Sequence, residues 1–169
     1  NASFASVNTR FVRNTLPNLV HENTWNGVAW KAERINAQLV LWSKDTSTNV
    51  AVEFSDFVSK DGSKLSKDIA QARFVKYVIT DEFAGGCGYR KPEDFASSLA
   101  ADALENVRSY AGKANETRPL WITINVPTDA KAGHYASTLK LNIEGEKSQL
   151  FKLNIEVLSR TLPAPSDWK

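Results

Sequence analysis

Methionine is absent from the 169 residues, and cysteine occurs once, at Cys87. A lone thiol cannot close an internal disulfide, so cysteine usage does not settle the redox compartment. Histidine occurs only at His21 and His134. Zinc needs three or four Cys and His ligands at set spacings, and three residues spread along the chain do not supply them. No apolar run approaches the ~20 residues that cross a bilayer as a helix. The opening residues, Asn1 to Ser6, lack the basic start and apolar stretch of a signal peptide. With no initiator Met, the simplest expectation is a piece of a longer chain. Excess charge of one sign is lacking too: 21 Lys and Arg stand against 19 Asp and Glu, a net charge of +2. The only adjacent basic pair is Arg90-Lys91. Nucleic-acid binding requires clustered cations that neutralise several phosphates, so that class is excluded.

What is present is ordinary for one compact globular domain: 42% hydrophobic and 24% charged residues. Period-two alternation dominates. Ile35, Ala37, Leu39 and Leu41 share one strand face, with Asn36, Gln38, Val40 and Trp42 opposite. Val50, Val52 and Phe54 repeat the pattern, as does the stretch 73–79. Leu120, Ile122, Ile124 and Val126 alternate with Trp121, Thr123 and Asn125. Two further strands follow, one through Tyr135, Leu139 and Ile143 and one through Phe151, Leu153, Ile155 and Val157. Strands with one apolar and one polar face predict an all-β fold, an antiparallel two-sheet β-sandwich. Asp61-Gly62-Ser63, Asp129 to Gly133 and Glu144 to Lys147 carry turn chemistry, the last short enough for a hairpin. One region departs from this pattern. Phe95, Leu99, Ala103, Val107 and Tyr110 fall at helical spacing after Pro92-Glu93-Asp94, so a single short helix is expected within 92–110. Residues 1–160 form the expected sandwich, and 161–169, with two prolines in Leu162-Pro163-Ala164-Pro165, an extended linker.

No catalytic set assembles itself. Cys87 sits in Gly85-Gly86-Cys87-Gly88 with no base paired to it by any local motif. That loop is followed by Tyr89-Arg90-Lys91-Pro92 rather than by a helix start, so a tight turn is favoured over a phosphate cradle. Asp81-Glu82 is the most tempting acid pair for glycoside hydrolysis. In a strand, however, adjacent side chains diverge, which favours a solvated strand end. Asp45, Asp56, Asp61, Asp68 and Asp129 show no calcium-loop spacing. The expectation is no metal and no cofactor. Five tryptophans invite sugar stacking, weighed against packing within or between domains, which is the favoured role.

Several stretches resemble one known family. Trp30-Lys31-Ala32-Glu33-Arg34-Ile35-Asn36-Ala37-Gln38-Leu39-Val40-Leu41-Trp42 is similar to a motif near the start of glycoside hydrolase family 123 type proteins. Arg118-Pro119-Leu120-Trp121, Val126-Pro127 and Ala132-Gly133-His134-Tyr135 resemble a later strand-turn-strand of the same domain, and Leu162 to Lys169 the junction to its barrel. Gly86-Cys87-Gly88-Tyr89-Arg90-Lys91 also resembles the family. The family pattern has Gly where Ala32 stands. The resemblance implies an N-terminal β-sandwich that is not itself an enzyme. It implies a following catalytic (β/α)-barrel as partner, whose Asp-Glu pair and the substrate's own acetamido group cleave β-linked N-acetylgalactosamine. It further implies an exported or cell-envelope bacterial location. Trp30, Glu33, Arg34, Gln38, Trp42 and Trp121 are the expected interdomain or carbohydrate-facing residues. Glu33, Arg34 and Gln38 are expected to sit in a hydrogen-bond and ion-pair network at the interdomain face. An independent carbohydrate-binding module is the alternative.

Overall fold

The computed structural model describes residues 1–79, 99–107 and 109–167. Twelve strands are described there: β1 (Ala2–Ala5), β2 (Thr24–Lys31), β3 (Arg34–Ser43), β4 (Ser47–Phe54), β5 (Phe57–Ser59), β6 (Lys64–Leu65), β7 (Ala70–Ile79), β8 (Leu99–Leu104), β9 (Ser109–Gly112), β10 (Glu116–Asn125), β11 (Gly133–Ile143) and β12 (Gln149–Thr161). One sheet runs β1-β3-β10-β7-β8 and the other β2-β12-β11-β4-β9, with β5 and β6 attached beside β11. All pairings are antiparallel except β2 with β12. The expected all-β sandwich is thus the fold.

Alternation explains the layers. Leu39, Leu120, Ile122 and Ile124 from the first sheet and Leu139, Leu141, Leu153 and Ile155 from the second are at most 1% exposed and share one core. Each such side chain contributes about 1.5–3 kcal/mol by leaving water, so these facing stripes, not the turns, hold the layers together. The hairpin expected at 144–147 joins β11 to β12 and places Gly145 at φ 80°. In β2, the Trp25 ring lies over Gly27, where an added Cβ would stand 2.2 Å from it.

Pro119 lies inside β10 without an amide hydrogen to give. The β10–β7 ladder begins one residue later, at Leu120 with Phe74. The Val75 carbonyl beyond it instead accepts a hydrogen bond of 2.8 Å from Arg118 Nη1. A side chain thus supplies the donor that proline removed.

The short helix expected within 92–110 is not found among the described residues. Leu99–Leu104 is strand β8, paired with β7, and Ser109–Gly112 is strand β9, paired with β4. Leu99, Ala103 and Val107 do sit at helical spacing, but the open edge of β7 offers a backbone ladder, and pairing outweighs a weak local period. Residues 92–98 and 108 lie outside the described residues, as do Asp81, Glu82, the Gly85–Gly88 loop with Cys87, and Trp168-Lys169. Strand β12 continues through Thr161, and a single 3-10 turn, Pro165–Asp167, follows.

Candidate functional site

The outer face of the first sheet is the chemically rich surface, and a segment without regular strand covers part of it. Residues 6–23 cross that face, held by side chains that look outward from the strands. Gln38 Nε2 donates to the carbonyls of Ser6 (2.7 Å) and Thr9 (3.1 Å). Tyr77 Oη donates to Phe11 O at 2.9 Å, and Thr117 Oγ1 to Thr15 O at 2.7 Å. The Ser3 hydroxyl gives to Val20 O and accepts from Glu22 N. Gln38, Thr117 and Ser3 are all buried as a result. A chain without its own ladder must satisfy its backbone on someone else's side chains, and this strap does so.

The strap is clamped at one end of the sandwich by charge. Glu116, 6% exposed, accepts from Arg13 Nε at 2.5 Å, from the Tyr110 hydroxyl and from Lys113 N. Arg118 lies 3.7 Å from the same carboxylate and 3.8 Å from Glu105, with its guanidinium 4.2 Å from the centre of the Tyr110 ring. Burial alone would raise the Glu116 pKa. Hydrogen bonds from Tyr110 and Arg13, then from Lys113 N, with the Arg118 charge, outweigh it and hold the carboxyl below its usual range. Burial, and then the bond to Glu116, push the Tyr110 hydroxyl up.

The opposite end is built around the crossing from β2 to β3. Glu33 N closes the turn on Trp30 O at 3.3 Å, while Glu33 Oε2 accepts from Trp30 N at 2.7 Å. Ala32 sits at φ 63°, the left-handed region that a side chain disfavours. That backbone is a physical reason for glycine at this position in the family pattern. Two neighbouring strands are tied to the same turn: Val126 N donates to Glu33 O at 2.9 Å and Leu162 N to Lys31 O at 2.8 Å. Arg34, exposed, gives its Nε to Asn125 Oδ1 at 2.9 Å. Glu33 and Arg34 therefore take neutral partners in these bonds, not each other.

The six expected residues do not converge. Trp30, Glu33 and Arg34 gather at the turn where β12 leaves the sheet. Trp42 lies at the far end of β3, about 26 Å from Arg34 at the rise of an extended strand. There its backbone N–H donates to Asn1 O at 3.0 Å and its carbonyl accepts from the terminal amine at 2.9 Å. Gln38 lies beneath the strap. Trp121 stands opposite Gln38 on β10, half-buried, its Nε1 donating to Asn36 Oδ1 at 3.1 Å. The same Asn36 oxygen accepts from Thr123 Oγ1 at 3.1 Å. His134 is exposed and faces Glu156 across the other sheet. Among the described residues no group of three or more His, Cys, Asp or Glu side chains could hold a metal ion. Among the described residues no helix is long and apolar enough to cross a membrane. The strap and its clamp at Glu116 are the features that sequence reasoning did not reach. An unpaired polar segment before the first long strand was their only trace.

Fold and surface together define an all-β sandwich domain with a strapped outer face. The chain belongs to the family described as the glycoside hydrolase 123 N-terminal domain, whose model matches residues 4–143. None of the curated proteins matches it. Among solved structures, it is similar to a family 123 glycoside hydrolase from Clostridium perfringens that was analysed for glycolipid glycan hydrolysis. The TM-score is 0.81 at 24% identity, covering 99% of this chain and 28% of that one. At that identity the likeness establishes the fold. The chain thus spans about a quarter of that relative's length. The major subunit MyfA of Myf fimbriae from Yersinia enterocolitica aligns at a TM-score of 0.44 and 12% identity, over 91% of this chain and 97% of that one.

Proposed function

We propose that this domain is the non-catalytic N-terminal sandwich of a bacterial glycoside hydrolase and that it packs on, and supports, a catalytic (β/α)-barrel following it in the chain. Residues 1–160 make the supporting body and 161–169 the connection. One observation carries the reading. The last strand leaves the sheet bonded to Lys31, so whatever follows emerges beside Trp30, Glu33, Arg34 and Asn125. A following domain meets that end first, and its exposed polar rim and half-buried Trp30 fit an interdomain face. The resemblance supports a barrel acting on β-linked N-acetylgalactosamine in an exported or cell-envelope enzyme.

Calorimetry on the protein with its downstream sequence tests the reading. A docked pair unfolds in one coupled transition, and Arg34→Glu, which puts a like charge at the rim, separates it into two. Two independent transitions before any substitution would contradict docking. Hydrolysis of an aryl N-acetylgalactosaminide by residues 1–169 alone would contradict the non-catalytic role.

A further inference from the structure

Strand β2 is the outermost strand of its sheet and pairs on one side only, with β12. In a parallel pair, alternate residues turn both backbone groups to the neighbouring strand, and the residues between them turn theirs away. Lys152 N donates to Asn23 O and Leu162 N to Lys31 O, so the odd-numbered residues from 23 to 31 face β12. The backbone groups of Thr24, Asn26, Val28 and Trp30 therefore point out of the sheet. At Trp30 both are taken by Glu33, whose carboxylate accepts from the N–H at 2.7 Å and whose own N–H donates to the carbonyl at 3.3 Å. Thr24, Asn26 and Val28 have no such cover among the described residues. The edge of the other sheet on β1 is treated differently, because Phe4 N donates to Glu22 O at 2.9 Å and the strap seals it. Natural edges are blunted by proline, charge or a bulge. Between Thr24 and Trp30, β2 carries no proline or charge, its register is regular through Ala29, and Val28 is 56% exposed. Such an edge is a template for one more strand. The course of the chain names the occupant. Strand β12 departs at the Lys31 end of β2, and Leu162 N is still bonded there. A position outside β2 lies two strand spacings from β12, about 9.5 Å, and Leu162 to Ala164 cover about 10 Å when extended. A chain that crosses the end of β2 in this way runs back along it antiparallel, from Val28 towards Thr24.

We propose that the free edge of β2 receives an extended segment of the chain downstream of Lys169. The segment lies as an antiparallel strand bonded to Thr24, Asn26 and Val28, with the Glu33 carboxylate closing the edge at Trp30. This rests on the reading that a further domain follows, and adds that the two are joined through backbone pairing as well as across the Trp30–Arg34 rim.

Amide hydrogen exchange read residue by residue, on residues 1–169 and on the protein with its downstream sequence, tests it. Pairing predicts that the Thr24, Asn26 and Val28 amides exchange at least about tenfold more slowly in the longer chain. The Trp25, Gly27 and Ala29 amides, already turned to β12, should change little. Asn26→Pro removes the central outward donor and leaves the β12 ladder intact. In the longer chain it should return Thr24 and Val28 to their rates in residues 1–169. The two unsubstituted forms decide the matter even if Asn26→Pro unsettles the fold. Equal rates for the three amides in both forms would overturn the pairing, and coupled unfolding seen alongside them would leave the docking standing. Slowed amides with two independent unfolding transitions would keep the pairing and remove the docking. Slowing of all six amides alike would overturn the pairing in favour of simple covering. Protection in residues 1–169 that grows with protein concentration would overturn it in favour of a second copy of this chain.

Discussion

The two ends of the sandwich use polar chemistry in opposite ways. At the Glu116 end, a buried carboxylate, two arginines and a tyrosine hydroxyl are bonded to one another and to the strap, so their polarity is consumed inside this chain. At the Trp30–Arg34 end, the contacts are neutral, partly exposed and gathered where the last strand departs. A charge network that closes on itself specifies how a domain folds. A rim that keeps its exposed groups leaves them available to another surface, which is the role proposed for this end.

The contrast breaks most sharply at Glu116. Glu116→Ala leaves Arg13 and Arg118 facing each other without their shared partner, and should cost about 3 kcal/mol in chemical denaturation. Strap amides should then exchange faster, and the exit end should be unchanged. Acid acts on the same clamp. The folded Glu116 pKa is lowered, so its contribution is fully present above the unfolded carboxylate value of about 4.3 and is lost as pH falls through the folded value. Melting curves of the protein and of Glu116→Gln should accordingly converge in acid and separate towards neutral pH. A smaller effect is expected at Gln38, whose amide holds the strap at two carbonyls. Gln38→Ala should cost about 1–2 kcal/mol by unfolding titration. At the exit end, Ala32→Gly relieves the left-handed backbone at some entropic expense, and should stabilise by no more than about 1 kcal/mol. Arg34→Ala in residues 1–169 should leave the melting temperature unchanged, because an exposed bond to an asparagine is nearly balanced by water.

Strands were legible wherever one face had to be oily. The stripes Leu120-Ile122-Ile124 and Phe151-Leu153-Ile155-Val157 lie in the core as their alternation requires. The strand edges were less legible, since the spacing of Leu99 and Ala103 suits a helix until β7 offers its ladder. Gln38 illustrates the limit for sites. Its place opposite the apolar stripe was readable, but its partners are the carbonyls of Ser6 and Thr9, which any sequence could provide. Glu33 and Arg34 were expected in one hydrogen-bond and ion-pair network, while their bonds run separately to Trp30 N and Asn125. Local spacing cannot announce a partner 91 residues away. Ala32 worked the other way, because a departure from a family pattern marked the one residue of that turn with strained backbone.

Backbone hydrogen exchange across Trp30–Arg34 and Asn125–Asp129, measured with and without the downstream sequence, tests the docking account most directly. Protection that rises at these two segments when the following chain is present, with the Glu116 clamp unchanged, is the predicted result. Equal exchange in both forms would show that nothing rests against this end and would contradict the account.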